Sequence, residues 1–473
     1  MKKFIIVVLL LISCHASAVY VNHQGMGEVL IVPYYSVNNN LNTLVSVTNT
    51  KGTAKAIKIT VREGLNGHAV LSYNVYLGAY DTWTFVMGSM NSTATGFEGQ
   101  ASGAMAAFDN SCAPLFNKYF TEFSPSSLVD GPQDLQRTRE GFIEIIEMGE
   151  LQGDTADFVK QINGVPKNCS ALDNAWQEGG QWHEASGGNV NQDLAPVSGG
   201  LMAEADLIHV ASGVNYSIPV VALADFFAEG TIAHAPPDDS TLSLDAAVPK
   251  ATVLTDEKPY QLSFERGIDA VSAVLMADEL IATYALDSGV LGKAETVYTQ
   301  PTRRFYIDFD SLTAEAPYTA DANVDACTRD KYGGSKMVVS IFDRESKIES
   351  PGVGVGIPTP PSPEPAYCGS VFVQSMMRHP INPRQPEITG SNNYHIGGNV
   401  QEGTENGFVQ SKFLNTRPLI GTNIHTNQPV HVMGLPVIGV TLIRFTNTDA
   451  QPGILAQYGF SHQLKSKARV IEQ

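Results

Sequence analysis

Asp308 and Asp310 flank Phe309 at strand spacing, which puts two carboxylates on one face of an extended segment. Glycoside hydrolysis uses such a pair, one carboxyl as acid and the other as base or nucleophile. The plainer reading is a solvated strand end, because side chains two apart in any strand share a face. Asp321-Ala322-Asn323-Val324-Asp325 alternates oxygen ligands as the start of a calcium loop does. That loop needs Gly at its sixth position and a carboxylate at its twelfth, where this chain has Ala326 and Tyr332. A polar turn ahead of Cys327 is therefore expected. Trp176, Trp182 and His183 lie close in sequence and are the nearest thing to a ligand-contact cluster, although a loop histidine beside an aromatic anchor is the simpler account. Tyr34, Tyr35, Tyr73, Tyr76, Tyr80 and Trp83 would make a sugar-stacking platform, but strands favour aromatics for packing. No G-x-S-x-G elbow, H-E-x-x-H, phosphate loop or dinucleotide fingerprint occurs. No catalytic, cofactor-binding or metal residue is assigned, and no cofactor is expected.

The five cysteines are Cys14, Cys112, Cys169, Cys327 and Cys368. Cys14 lies in the leader, and the four others allow three pairings. Sequence order favours Cys112–Cys169 and Cys327–Cys368, one bridge in each half. No CxxC or Cys/His spacing suggests a metal site.

The leader reads as a secretory signal. Met1-Lys2-Lys3 is basic, Phe4 to Ile12 is an unbroken run of nine apolar residues, and Ala16-Ser17-Ala18 is a small-x-small cleavage site. That run is too short for a membrane helix, which needs about 20 residues, and no later segment reaches that length. Leu11-Ile12-Ser13-Cys14 also resembles a lipobox, so a lipid anchor at Cys14 is the alternative to release after Ala18. The formal charge is −18, and losing Lys2 and Lys3 leaves 28 basic residues against 48 acidic ones, or −20. Such a chain has no general attraction for nucleic acid or anionic lipid. The expected location is a bacterial periplasm, cell surface or medium.

The elements that would position these residues are strands. Charged residues are 16% of the chain, against a usual ~25%, which disfavours long solvated helices. Residues 28–87 read as consecutive strands with Gly- and Asn-rich turns. Pro33 marks an edge or a bulge in the first, and Ile57, Ile59 and Val61 alternate inward in the third. Residues 88–135 form a long excursion rich in small residues. Gly141 to Met148 is a strand, 149–200 is either a lobe tied by Cys169 or a binding loop, and Ala270 to Leu286 is the best helix candidate. Strands return at 299–309, 336–343, 370–377, 407–413 and 437–445, around a Pro/Gly-rich loop at 350–366. The expected fold is all-β, an immunoglobulin-like β-sandwich scaffold with long loop insertions and a few short helices. Its regions are a leader at 1–18, an N-terminal sandwich at 19–135, a mixed middle at 136–298 and a C-terminal sandwich at 299–473.

Val29-Leu30-Ile31-Val32-Pro33-Tyr34-Tyr35, Asn42 to Thr50, Ala54 to Ile59 with Arg62-Glu63-Gly64, and Gly141 to Gly149 carry a resemblance. So do Ala270 to Met276, Pro301 to Tyr306, Phe342-Asp343-Arg344-Glu345 and Gly434 to Gly439. In order along nearly the whole chain, these pieces resemble an uncharacterised family of secreted bacterial β-rich proteins with no established activity. The resemblance implies a shared architecture and no catalytic residue.

The sequence thus points to an exported, non-catalytic structural or adhesive protein with a surface partner or glycan as ligand. The alternatives are a hydrolase using Asp308/Asp310 and a carbohydrate- or calcium-dependent binding module. Intact-mass analysis of protein made by its native host should find Val19 at the N-terminus, or lipidated Cys14. A main product that keeps Met1 contradicts both.

Overall fold

The computed structural model describes residues 17–308 except 129, together with 311, 313–319, 335–345, 348–349, 366–378, 386–392, 394–400, 404–414 and 416–472. Cys14, Asp310, the 321–325 segment, Cys327 and nearly all of the 350–366 loop lie outside them. The architecture is all-β, in antiparallel sheets with few and short helices.

The first sheet runs Tyr20–Val21, Val221–Ala224, Val29–Ser36, Glu140–Leu151, Lys55–Glu63, Ala69–Leu77. The second runs Val214–Ile218, Leu201–His209, Leu41–Asn49, Thr82–Asn91, Ala101–Ala106, Thr121–Glu122. They pack face to face, because each strand alternates apolar residues toward the space between them. Ile57, Ile59 and Val61 meet Val45, Val47, Trp83 and Phe85 there, all buried. Trp83 Nε1 donates across the gap to Tyr73 OH at 3.3 Å. Pro33 sits in a central strand whose register shifts between Val32 and Tyr35, so the bulge option is the one realised.

Among the described residues three further sheets of five or six strands and three two-stranded ones follow, and one of the larger contains a parallel pair between Val371–Arg378 and Tyr394–Val400. The helix of the 270–286 stretch is shorter than its pattern suggests. It spans Gly267–Leu275, and Met276–Ala277 and Glu279–Ala285 are strands. Leu280, Ala282 and Tyr284 are buried in alternation, and the second strand is held by Asn406–Phe413 far along the chain. Tertiary pairing has overridden local helix preference here.

One hydrophobic cluster extends from Val19 to Leu464 and includes residues of both halves. Backbone bonds cross the junction directly, from Ser370 N to Leu65 O (2.8 Å) and from Val371 N to Gly64 O (2.7 Å). The first sheet is consequently covered on both faces. Its second face is polar yet buried: Lys58, Thr60 and Arg62 are at most 2% exposed. A strap at 234–239 crosses it. Lys58 Nζ donates to the carbonyls of Pro236 and Pro237, Asn74 Nδ2 to Ala235 O (2.8 Å), and Ser72 Oγ to Asp239 O (3.1 Å). Burial lowers Lys58 to about 7, against the pull of Asp239 and Asp238.

Lys55 and Glu147 are fully buried at 2.6 Å, and Glu147 also receives Ser198 N (3.0 Å) and Gly199 N (2.8 Å). Removing one member of a buried pair strands the other charge, which costs about 3–5 kcal/mol. Lys55→Met should lower unfolding stability by that order in a denaturant titration. A loss below about 1 kcal/mol would show that the pair is not a stability determinant.

Candidate interaction surface

Cys112 and Cys169 are bridged, as their order in the chain suggested, with Cα atoms 5.1 Å apart. Cys368 is also disulfide-bonded. The first bridge holds the loop that follows Ala101–Ala106 against the Cys169–Trp176 helix. Further ties fix the same loop. Tyr76 N donates to Cys112 O (2.8 Å), Leu115 N to Asp173 Oδ1 (3.0 Å), and Lys118 Nζ to the carbonyls of Asp109 and Ser111 (both 3.0 Å). Phe116 turns inward and stacks on Tyr73 at 4.2 Å.

The loop's other large apolar side chains face water. Phe108 is 82% exposed, Tyr119 77%, Leu115 57% and Phe120 52%. The loop leads onto the outer face of the second sheet, where register aligns two rows. Asp206, Leu44, Val86 and Ala106 are successive cross-strand neighbours, and Glu204, Ser46 and Thr84 form the next row. Asp109 accepts from Thr84 N and Oγ1, both at 3.1 Å, which seats Phe108 at the end of that second row. The result is a groove of about 310 Å³ with Leu44, Val86, Ala106 and Phe108 on one side and the carboxylates of Glu204 and Asp206 at the other. Asp206 is steadied by Ser217 Oγ (2.7 Å) and Asn215 Nδ2 (3.1 Å). An apolar wall ending in carboxylates and hydroxyls can hold a ligand by contact and hydrogen bonding, but it has no activated nucleophile. A second concavity, about 280 Å³, lies where Val21 and Val221 face Leu254, Met276 and Val437.

The residues singled out from sequence lie elsewhere. Trp176 and Trp182 are 6% and 1% exposed, and form a satellite core with Tyr76 and His234. The Trp182 ring centre is 4.7 Å from that of His234 and 5.5 Å from that of Tyr76. These indoles hold the 149–200 lobe to the sheet and do not face solvent. His183 is half-buried, with Nδ1 2.7 Å from Ser186 Oγ in a local turn. Asp308 is exposed and accepts from Ser311 N (3.0 Å). Among the described residues no three His, Cys, Asp or Glu side chains gather as a metal site would require. No helix among them is long and apolar enough to cross a membrane. The aromatic loop was missed although its signal was present, in Phe108, Phe116, Tyr119 and Phe120 crowding around Cys112 within a stretch of small residues.

The satellite core has its own titration. Val190 O can only accept, so His234 Nδ1 carries the hydrogen (2.6 Å) and Nε2 accepts from Tyr76 OH (2.7 Å). Tyr76 OH in turn receives Trp176 Nε1 (3.0 Å). The neutral imidazole satisfies this chain, and burial lowers His234 from 6.5 to about 4. Between those values the unfolded chain takes up a proton that the folded one refuses, so stability falls as the pH drops through the window. The loss should reach about 3 kcal/mol. Denaturation of wild type and His234→Gln from pH 7 to pH 4 should show the wild-type advantage shrinking with acid, and a constant difference would rule the linkage out.

Compared with known proteins, the chain matches no family model, no curated protein and no solved structure, so its functional reading rests on its own surface.

Proposed function

We propose that the chain is an exported, non-catalytic attachment protein that binds a surface partner through the aromatic loop and the groove beside it. The carrying observation is the cluster of Phe108, Leu115, Tyr119 and Phe120, each more than half exposed, on a loop that the Cys112–Cys169 bridge holds in place. Single surface apolar residues need no explanation, whereas several large ones on one tethered loop point to an interaction site. Aromatic anchors on a rigid support also lose little conformational freedom on binding. The leader-like N-terminus, low charge and disulfides support export.

A carbohydrate ligand is the second reading. Glu204, Asp206, Ser46 and Thr84 offer hydroxyl-binding groups beside the Phe108 ring.

Exposed side chains are replaced at little cost in stability, usually within about 0.5 kcal/mol. Phe108→Asp combined with Tyr119→Asp should therefore fold normally by circular dichroism. It should lose most of the wild-type retention on cells of the native host, while Asp308→Asn keeps it. Wild-type retention by the double variant would refute the surface assignment. A glycan array bound by wild type and not by the double variant would select the carbohydrate ligand. A substrate turned over by wild type and not by Asp308→Asn would replace attachment with hydrolysis.

A further inference from the structure

Ile438–Gln451 and Ile454–Gln463 form an antiparallel hairpin at one end of a five-stranded sheet. Its second strand has ten residues, the longest end strand of any described sheet. Among the described residues its outer edge has no backbone partner. The nine-residue end strand Ala69–Leu77 differs, because Tyr76 N donates to Cys112 O and Ser124 N to Val70 O, both at 2.8 Å.

Natural sheets keep open edges from joining by placing lysine, proline or a bulge there. None of these lies within 454–463, and the register shift of the hairpin falls at its tip, between Asn447 and Gln451. From Ala450 to Leu464 no Lys, Arg, Asp or Glu occurs, in a chain of net charge −18. One face of the strand is apolar and faces water, with Ile454 52%, Tyr458 48% and Phe460 45% exposed. Phe445 lies opposite Tyr458 and meets the Phe460 ring edge-on at 5.5 Å. The other face is seated on the N-terminal sandwich, where a Cβ on Gly459 would lie 2.4 Å from Asn215 O and 2.6 Å from Val214 Cγ1. The strand is therefore held from behind with its apolar face free.

We infer that Ile454–Gln463 pairs antiparallel with the same strand of a second copy, centred on Gln457, so that two five-stranded sheets become one of ten. A row of backbone N–H and C=O groups is matched by another extended strand. A second copy suits this edge because the neutral segment spares two acidic chains from like-charge contact where they meet. The strand is also complementary to itself. Centring on Gln457 sets Ala456 opposite Tyr458 and Ile454 opposite Phe460, small against large and apolar against apolar. A two-fold contact of this kind closes at two copies and uses both open edges.

Sedimentation velocity of the protein exported by its native host, over roughly one to one hundred micromolar, should show a dimer. Tyr458→Lys combined with Phe460→Lys places like charges across the pairing and should weaken dimerisation about tenfold or more. Gln457→Cys brings two thiols to facing positions, with Cα atoms about 4.5–5.5 Å apart, inside the range a disulfide spans. Mild oxidation should cross-link that variant and not Ile454→Cys, whose facing residue is Phe460. If the lysine variant does not fold, the two cysteine variants decide alone. A monomer throughout the range overturns the inference, as does a dimer that the folded lysine variant keeps or that Gln457→Cys fails to cross-link. A dimer lost in Phe108→Asp with Tyr119→Asp places the contact on the aromatic loop and overturns it too.

Discussion

The polar face of the first sheet is buried, and the arrangement of the other parts follows from how its charges are met. Lys58, Arg62, Glu140 and Glu144 on that face are at most 2% exposed, and so are Lys55, Glu63 and Glu147, which alternation places on the Ile57 side near the ends of the strands. An apolar face would accept many covers. A charged one accepts only covers that bring the right group to each position. The strap brings carbonyls to Lys58, and Ser198 and Gly199 bring amides to Glu147. Arg137 pairs with Glu63 at 3.0 Å, and Ser391 reaches back from the C-terminal half to Glu140 at 2.7 Å. Within the C-terminal half Glu295 is treated alike, by the amides of Ile388 and Thr389. The two halves are thus docked by specific complementarity as well as by their shared apolar core.

The sequence showed one face of these strands and not the other. The alternation of Ile57, Ile59 and Val61 announces a strand with an apolar side, and the structure places them in the core. Lys58, Thr60 and Arg62 read the same whether water or protein covers them, because periodicity carries no record of what lies beyond the polar face. The 270–286 stretch shows a second blind spot. Its residues suit a helix locally, and what ends the helix at Leu275 is pairing with strands more than a hundred residues away. The Cys112–Cys169 bridge was legible from order alone. The buried state of Trp176 and Trp182 was not, since it depends on His234 arriving from the strap.

The candidate surface combines a legible frame with an illegible placement. Strand register puts Leu44, Val86 and Ala106 in one row, a consequence of alternation that a sequence can show once the pairing is known. Phe108 and Tyr119 are exposed because neighbouring side chains, Phe116 and Lys118, have already filled the inward positions of the loop. Which aromatic turns in and which turns out is decided by packing against Tyr73 and Trp83, and local composition does not contain it.

The strand order also dictates a schedule of synthesis. Val29–Ser36 lies between partners at 140–146 and 221–223, Leu41–Asn49 is completed by 201–209, and Tyr20–Val21 waits for 223–224. Neither sheet of the first sandwich can finish until the segment ending at Ala224 has left the ribosome. At about 5–20 residues per second that takes on the order of ten to forty seconds. During that interval strongly apolar strands have unpaired edges, so the nascent chain is a natural client for holding chaperones. Its slowest folding events are expected to be these distant closures.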